Sequence, residues 1–343
     1  MTLRNFAFLL LPALVTSPAL RAQPVFHDSQ APQVSFASAQ IARALGAKRA
    51  TADRSLGDLN SFAGSLRFAI AGDATESNAL AQTLHLAPLK TTAPQAYAIR
   101  RAEQRGRVTI AVLGADANGA MYGGLDVAEA IRLDLIGKTG DSDHSPHIAQ
   151  RGIKFNIALD RRTPTYSDSS DSAQSNIPEV WSMDFWRELF DEMARQRFNT
   201  LSLWNLHPFP SIVKVPEYSD VALNDVWGNR EPFDLSFNMN AKVMSQPFQL
   251  GQVAIVNHLT IDDKIHFWRN VMQYAKDRGI DVYWYTWNTY VWGTEGKHGI
   301  TEDGNNPETI AYFRASVRET VRTYPLLAGI GITAGEKIGR AHV

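Results

Sequence analysis

Glu336 is the carboxylate best placed for chemistry in this sequence. It follows residues 329–335, a run rich in glycine that ends an apolar strand pattern beginning at Leu327. A carboxyl group at a strand end can protonate a leaving oxygen or act as a nucleophile, and cleavage of a glycosidic bond usually needs two such groups. We therefore predict that Glu336 is catalytic and that its partner lies elsewhere. The alternative is a carboxylate that merely ends the strand or pairs with an arginine.

Aromatic and amide side chains follow two other strand patterns. Trp204, Asn205 and His207 stand at the end of one, and Trp287 and Asn288 at the end of the other. Aromatic faces stack on the C–H face of a pyranose, and amides both donate to and accept from hydroxyls. We predict that these residues bind a sugar substrate. The alternatives are core packing for either tryptophan and an ordinary loop position for His207.

Arg161 is a further binding candidate. It lies between Asp160 and Arg162 directly after the first barrel-type strand pattern. A guanidinium can hold a substrate carboxylate through two hydrogen bonds, but a solvated surface ion pair is equally compatible with this position. Residues 168–172 contain only Asp and Ser and lack the Gly and terminal Glu of a calcium loop. We predict no metal and no organic cofactor.

Composition excludes several classes of protein. The chain has 343 residues, 34 Lys and Arg against 35 Asp and Glu, a net charge of -1 and no Cys. Nucleic-acid binding needs clustered cations, so we expect no nucleic-acid partner. The lack of Cys excludes thiolate catalysis, Cys-ligated zinc and iron–sulfur clusters.

The two ends of the chain predict processing rather than structure. Arg4, the apolar run 6–15 and small residues up to Ala22 have the pattern of a signal peptide, so we expect cleavage after residue 22, a secreted or periplasmic protein and no membrane association afterwards. An N-terminal anchor is the alternative. Residues 338–343 resemble translated sequencing-adapter DNA, which indicates a C-terminally truncated fragment, whereas the alternative is a genuine tail.

The N-terminal part predicts a small α/β domain over residues 23–148. Strand patterns at 66–71, 97–99 and 108–113 alternate with helix patterns at 76–84 and 119–133. Gln104, Arg105 and Gly106 supply the turn of a hairpin. The Gly-, Asp- and Ser-rich segment 137–147 predicts a linker.

Residues 149–337 predict the first half of a TIM-type (β/α)8 barrel. The four strands are expected at 152–159, 200–204, 281–287 and 327–333. The helices between them have start signals at Ser182, at Thr260 with Asp263, and at Asn306 with Pro307. Long connections follow the strands and short ones precede them, as in βα barrels. A doubly wound sheet is the alternative, although its glycine-rich phosphate loop is missing.

The inward faces of these helices follow from helical spacing. The expected inward residues are Trp186, Leu189, Phe190 and Met193 in the first helix, Ile265, Trp268, Met272 and Ala275 in the second, and Ile310, Phe313, Val317 and Val321 in the third.

The chain also resembles a known group of enzymes. Residues 108–129 and 150–154 resemble the small domain and barrel entry of bacterial family 67 α-glucuronidases and family 20 β-hexosaminidases, and the resemblance covers most of residues 60–337. It implies a general acid at the end of barrel strand 4, which is the position of Glu336. Family 20 enzymes carry an Asp-Glu pair there, whereas this chain has Gly335 and Glu336, which disfavours the substrate-assisted mechanism.

The resemblance implies an exported, α-glucuronidase-like glycoside hydrolase that acts on polysaccharide-derived substrates. We expect the chain as given to be inactive alone, with its second carboxylate in the missing half of the barrel. The alternatives are a noncatalytic glycan-binding protein and an inactive fragment. The sugar, the linkage, the stereochemical outcome and the oligomeric state are not predicted.

Overall fold

The structure, a computed structural model, describes residues 24–46, 53–163, 165, 172–229, 253–287, 290–294 and 296–333. These residues form two compact units, one of residues 24–30 and 34–145 and the other of residues 31–33 and 146–333. The predicted signal peptide, Asn288, Glu336 and the adapter-like tail lie outside the described residues.

The first unit is built on a five-stranded mixed sheet. Its strand order is β1-β2-β4-β3-β5. Strands β1, β2 and β4 are parallel, while β3 is antiparallel to both of its neighbours. The elements are β1 Val25–Phe26, α1 Pro32–Ala44, β2 Leu66–Ala71, α2 Ala74–Leu84, β3 Tyr97–Gln104, β4 Arg107–Gly114, α3 Ala117–Arg132 and β5 Ser142–His144.

Local sequence signals account for the hairpin and helices of this unit. Arg105 and Gly106 have positive φ angles of 51° and 74°, the conformation of a two-residue turn that matches strand twist. Asp73 caps α2 through the backbone N–H groups of Thr75 and Glu76, and Asp116 caps α3 through that of Gly119.

The segment predicted as a linker, 137–147, contributes an additional strand. Ser142–His144 pairs antiparallel with β3. The buried Arg100 guanidinium holds it there by donating to the Ser142 carbonyl at 2.7 Å and to Asp143 Oδ1 at 2.6 Å. The polar composition of this segment indicates a linker when it is considered alone. Its strand conformation depends on Arg100, which lies some forty residues earlier in the chain.

The second unit alternates strands and helices. Its elements are β6 Gly152–Asn156, α4 Ser172–Val180, α5 Met183–Arg195, β7 Thr200–Trp204, α6 Phe209–Ile212, β8 Val226–Asn229, β9 Val253–Asn257, α7 Ile261–Lys276, β10 Asp281–Trp287, α8 Pro307–Thr323 and β11 Leu327–Thr333. A 3-10 helix, Pro216–Val221, and the antiparallel pair β8–β9 lie within the long connection between β7 and α7.

The main sheet of this unit has the order β11-β10-β7-β6, and all of its pairs are parallel. Each successive strand is added at the same edge, as in a βα barrel, whereas a doubly wound sheet reverses direction after its first strands. The predicted fold class is confirmed: a small α/β unit is followed by four consecutive strands of a barrel-type sheet.

Helices α5 and α7 cover one face of this sheet, which we call the outer face. Trp186, Trp268 and Trp284 are almost completely buried there and pack edge to face, with centroid distances of 5.2 Å and 4.9 Å. Helix α7 begins with the predicted capping box, in which Thr260 and Asp263 satisfy each other's backbone N–H groups.

The predicted inward stripe of α8 is only partly correct. Ile310 and Val321 are 38% and 58% exposed, while Tyr312 and Ala315 of the same helix are buried. With Ile332 of β11, which is 60% exposed, the apolar stripe borders a groove of about 510 Å³ at the open edge of the sheet. Helical spacing identified an apolar face but not which neighbour covers it.

Candidate functional site

The face of the main sheet opposite the outer face, which we call the inner face, has a different composition. Strict alternation along β7 and β10 directs Ser202, Trp204, Tyr283 and Tyr285 to this face, where all four are half-buried. Lys154 of β6 is exposed beside them. The inner face is therefore the part of the barrel-type sheet that offers polar and aromatic groups.

Three neighbouring strands place an aromatic row across the inner face. The rings of Trp204 and Tyr285 stack with centroids 4.3 Å apart and planes 5° from parallel. Lys154 Nζ lies 4.7 Å from the Trp204 ring centroid, within the range of a cation–π interaction. The two rings cover each other's faces, and Lys154 and β11 cover the outer ones, so the row Lys154–Trp204–Tyr285 presents ring edges and a cation on the inner face. Apolar ring edges and an ammonium group suit the C–H groups and the carboxylate of an acidic sugar.

Glycines of β11 make room for the row. A Cβ atom at Gly331 would lie 2.0 Å from Cε1 of Tyr285, and one at Gly329 would lie 3.2 Å from Cδ1 of Tyr283. Only glycine allows the Tyr285 ring to lie flat against the neighbouring strand. The alternation Gly-Ile-Gly is thus a sequence signal for ring packing on one face of β11.

Trp287 ends β10 two residues beyond Tyr285. It is 8% exposed and contacts the half-buried Tyr290 edge to face at a centroid distance of 6.0 Å, and Tyr290 in turn contacts Trp292 at 5.0 Å. Of the predicted tryptophans, Trp204 thus belongs to the inner-face row and Trp287 to a packed aromatic group at the strand end.

Asn205 has a structural position. Its side-chain N–H donates to the carbonyl of Ile157 at 2.8 Å, and its Oδ1 accepts the backbone N–H of His207 at 2.9 Å. The residue is 1% exposed. The amide predicted to bind sugar hydroxyls therefore ties the ends of β6 and β7 together.

His207 is also enclosed by the protein, contrary to its predicted contact with substrate. It is completely buried, with Nδ1 2.6 Å from the Trp292 carbonyl and Nε2 3.1 Å from the Tyr312 hydroxyl. Since a carbonyl only accepts, Nδ1 carries the proton and Nε2 accepts from Tyr312. Burial lowers the pKa of His207 to about 4. This neutral ring joins two loops and contacts no solvent.

The charged residues after β6 are buried rather than solvated. Asp160 is completely buried and accepts from Arg162 Nε at 2.8 Å, Arg162 Nη2 at 2.7 Å and the Trp227 backbone N–H at 3.1 Å. Arg161 is equally buried, and its backbone N–H donates to the Trp227 carbonyl at 3.0 Å. Arg161, predicted to clamp a carboxylate, is thus buried beside Trp227 of β8.

Lys264 completes this buried network from α7. Its Nζ donates to the carbonyls of Leu223 at 2.8 Å and Asp225 at 2.5 Å. Burial lowers the pKa of Lys264 to about 8, and the charge of Asp160 acts in the opposite direction. Asp160, Arg162 and Lys264 therefore fix the connection that leads into β8 against the end of β6.

Sequence reasoning missed Lys154 and Tyr285, although both lie on strands that it located. The alternation of the strands and the two glycines of β11 were the available signals. In the carboxyl-terminal halves of the strands, the described residues place no carboxylate on the inner face. Within the same described ranges, no cluster of His, Cys, Asp or Glu could hold a metal ion, and none of the helices has the length and apolar composition to cross a bilayer.

Comparison with known proteins places this fold. No protein-family model and no curated protein sequence matches the chain. A GH138 enzyme described as targeting pectin rhamnogalacturonan II matches over 91% of this chain with a TM-score of 0.55 and 20% identity, and the chain spans 30% of that protein's length. A mutant Streptomyces plicatus β-hexosaminidase in complex with product matches 89% of this chain and 53% of that one, with a TM-score of 0.48 and 10% identity. A GH20 exo-β-N-acetylglucosaminidase from Vibrio harveyi matches 92% of this chain and 43% of that one, with a TM-score of 0.45 and 13% identity. The chain thus has a fold that occurs in glycoside hydrolases.

Proposed function

We propose that this chain is the N-terminal part of an exported glycoside hydrolase and supplies the first four strands of its catalytic barrel. The proposed substrates are plant-type polysaccharides or their oligosaccharides that contain uronic acids, and the proposed activity is α-glucuronidase-like. The chain as given lacks turnover in this proposal, because a single carboxylate cannot complete glycosidic cleavage.

The observation that supports this function is the aromatic row on the inner face. Trp204 and Tyr285 present stacked, half-buried rings, and Lys154 places a cation over the end of the row. In βα barrels the active site lies at the carboxyl ends of the strands, where Trp204 ends β7. The C–H groups and the carboxylate of a uronic acid suit the apolar ring edges and the ammonium group that this row presents.

Glu336 is the proposed general acid. It follows Thr333, the last residue of β11, by three positions, a distance that the extended chain spans within about 11 Å. Asn288 remains a proposed contact with the substrate, whereas Trp287 and Arg161, which are buried, contribute in this proposal by positioning the connections that follow β10 and β6.

Two similarities support the proposed class of substrate. The sequence resembles family 67 α-glucuronidases, and the GH138 enzyme with a similar fold is described as targeting pectin rhamnogalacturonan II. Both descriptions involve glycans with acidic sugars. We extend that class to this chain as part of the proposal.

Glu336→Gln in the full-length product of the source gene tests the proposal. Turnover of uronic acid-containing oligosaccharides should fall by about 10²–10⁴, because the leaving oxygen no longer receives a proton. A dinitrophenyl glycoside has a leaving group that needs no proton, so its cleavage should fall much less. Initial rates on both substrates measure the difference.

Glu302→Gln is the matched control. Glu302 is an exposed glutamate in the connection after β10, and the same change should leave both rates unaltered. Equal turnover by wild type and Glu336→Gln would contradict the assignment of Glu336, and full-length protein without activity on any acidic oligosaccharide would contradict the proposed reaction.

A noncatalytic glycan-binding protein is the second candidate. The inner face supports it because the described strand ends provide aromatic rings and a cation but no carboxylate. Saturable binding of acidic oligosaccharides by the full-length protein, without turnover and unchanged by Glu336→Gln, would favour this function over hydrolysis.

A further inference from the structure

A polar pocket lies in the first unit, at one end of its sheet. It has a volume of about 300 Å³ and is lined by Asn60, Arg67, Gln104, Arg105 and Arg107. The strand register explains this grouping. Arg67 pairs with Thr109, and Gln104 pairs with Arg107, so these side chains project from the same face of the sheet.

Arg67 is the buried member of this pocket. It is 3% exposed, and its Nη1 donates to the Leu59 carbonyl at 2.9 Å. Its Nε is buried without a hydrogen-bond partner, as is the hydroxyl of the adjacent and completely buried Thr109. Buried polar groups almost always have partners, so this N–H is an unused donor in the pocket wall, which an acceptor in the pocket reaches once the side chain rotates.

The charge of the pocket is uncompensated. Across the described residues, Arg67, Arg105 and Arg107 form no ion pair, and Arg107 Nη1 donates only to the Asn60 carbonyl at 3.2 Å. Burial, reinforced by the charge of Arg107, lowers the pKa of Arg67. Three guanidinium groups without a carboxylate form a site for an anion, because they offer several N–H donors in a planar arrangement.

We propose that this pocket binds the carboxylate of a uronic acid residue in an acidic glycan, with the guanidinium groups on the carboxylate and the amides of Asn60 and Gln104 near the sugar hydroxyls. The choice of an oxyanion as the ligand class rests on the three guanidinium groups of the pocket, whereas the choice of a uronic acid rests on the proposed function. The site would let the first unit hold an acidic polysaccharide independently of the inner face of the main sheet.

Calorimetric titration of the 343-residue chain with trigalacturonate tests the proposal. We expect saturable binding that weakens as salt increases, and weakening of at least tenfold in the double variant Arg105→Asn/Arg107→Gln. Asn is chosen at position 105 because it tolerates the positive φ of that residue. Arg67→Met should abolish binding, and the double variant, which alters less buried residues, keeps the test valid if Arg67→Met fails to fold.

Arg132→Gln is the matched control, since Arg132 is an exposed arginine at the end of α3 and its loss changes the net charge equally per residue. The affinity of the Arg132→Gln variant for trigalacturonate should stay within twofold of that of the wild type. The Nε–H resonance of Arg67 in a ¹⁵N spectrum should shift on titration with trigalacturonate and stay unchanged with the methyl-esterified trimer.

Two further titrations separate the sources of the anion. Inorganic phosphate should compete with trigalacturonate only weakly. Binding of phosphate in the absence of any trigalacturonate binding would overturn the proposal that the ligand is a uronic acid. Equal binding of the esterified trimer would also overturn it. Absence of all binding, or equal weakening by Arg132→Gln, would overturn the site. These binding results are independent of turnover. An inactive full-length enzyme would therefore leave the pocket proposal unaffected, and a failure to bind trigalacturonate here would leave the proposed hydrolase activity unaffected.

Discussion

Trp284 and Trp204 lie on neighbouring strands of one sheet and have opposite environments. Trp284 is 1% exposed and packs edge to face on Trp268 beneath the helices, whereas Trp204 is half-buried and stacks flat on Tyr285 on the inner face. Residue type does not distinguish them. The alternation of side chains along each strand, combined with the side on which the helices lie, determines which tryptophan stabilises the fold and which is available to a ligand.

The difference shows that the two faces of the main sheet have different roles. The outer face is closed by apolar packing, and the strand ends are closed by buried polar groups such as Asp160 and His207. The inner face retains half-buried aromatic rings beside Lys154. Polar groups that appear functional in the sequence can therefore be structural, while a tyrosine within a strand is part of the candidate site.

Replacement of the two tryptophans by alanine tests the contrast most strongly. Trp284→Ala should lower the free energy of unfolding by about 3–5 kcal/mol, because it opens a cavity in the tryptophan cluster. Trp204→Ala should cost about 1 kcal/mol, mainly the loss of an aromatic stack. Urea unfolding measures both changes. Equal losses would contradict the assignment of the two faces.

Asp160→Asn should have the next largest effect. The change removes the carboxylate that pairs with the partly buried Arg162 and the opposite charge that acts on the buried Lys264, at a cost of about 3 kcal/mol. Asp184→Asn, on an exposed ion pair with Arg187, should change the free energy of unfolding by less than about 1 kcal/mol. A small loss for Asp160→Asn would show that the network does not hold the β8 connection.

The pH dependence of stability should reveal His207. Its pKa is about 4 in the folded chain against about 6.5 when unfolded. Between these values the unfolded chain binds more protons, so stability falls as the pH is lowered from about 6.5 to 4, by up to about 3 kcal/mol. His207→Gln should remove this part of the dependence, and His266→Gln, at an exposed histidine, should leave it intact. Urea unfolding curves recorded at several pH values measure this pH dependence of the free energy of unfolding.

Gly331→Ala should lower stability less than Trp284→Ala or Asp160→Asn and should have a clear effect on the inner face. The new methyl group collides with the Tyr285 ring, so the ring must move, at a cost of about 1–2 kcal/mol. Gly304→Ala, where nothing lies within 4 Å of the added atom, is the control. An unchanged near-ultraviolet spectrum of the aromatic row in Gly331→Ala would contradict the close approach of Tyr285 to β11.

Much of the fold was predictable because its signals are local. The strands Thr200–Trp204, Asp281–Trp287 and Leu327–Thr333 have the predicted bounds. The helix starts at Thr260 and Asn306 also follow from cap residues adjacent in sequence. In each case the information lies within a few residues of the element that it determines.

The positions of the site residues were less predictable, because they depend on distant contacts. Asn205 is held in its buried position by a hydrogen bond to the carbonyl of Ile157, 48 residues earlier. His207 is held in the same way by a hydrogen bond to the carbonyl of Trp292, 85 residues later. The position of β8 depends on Asp160 in the same way, since the backbone N–H of Trp227 donates to Asp160 from 67 residues away. Residue type and position in a loop contain none of this information.

The most direct test of the central claim is the effect of Trp204→Ala on kcat/KM in the full-length protein, with thermal unfolding recorded on the same samples. If the aromatic row binds the sugar, kcat/KM on an acidic oligosaccharide should fall by about 10–100-fold while the melting temperature falls by only a few degrees. An unchanged kcat/KM in the folded variant would contradict the assignment of the inner face as the substrate-binding surface.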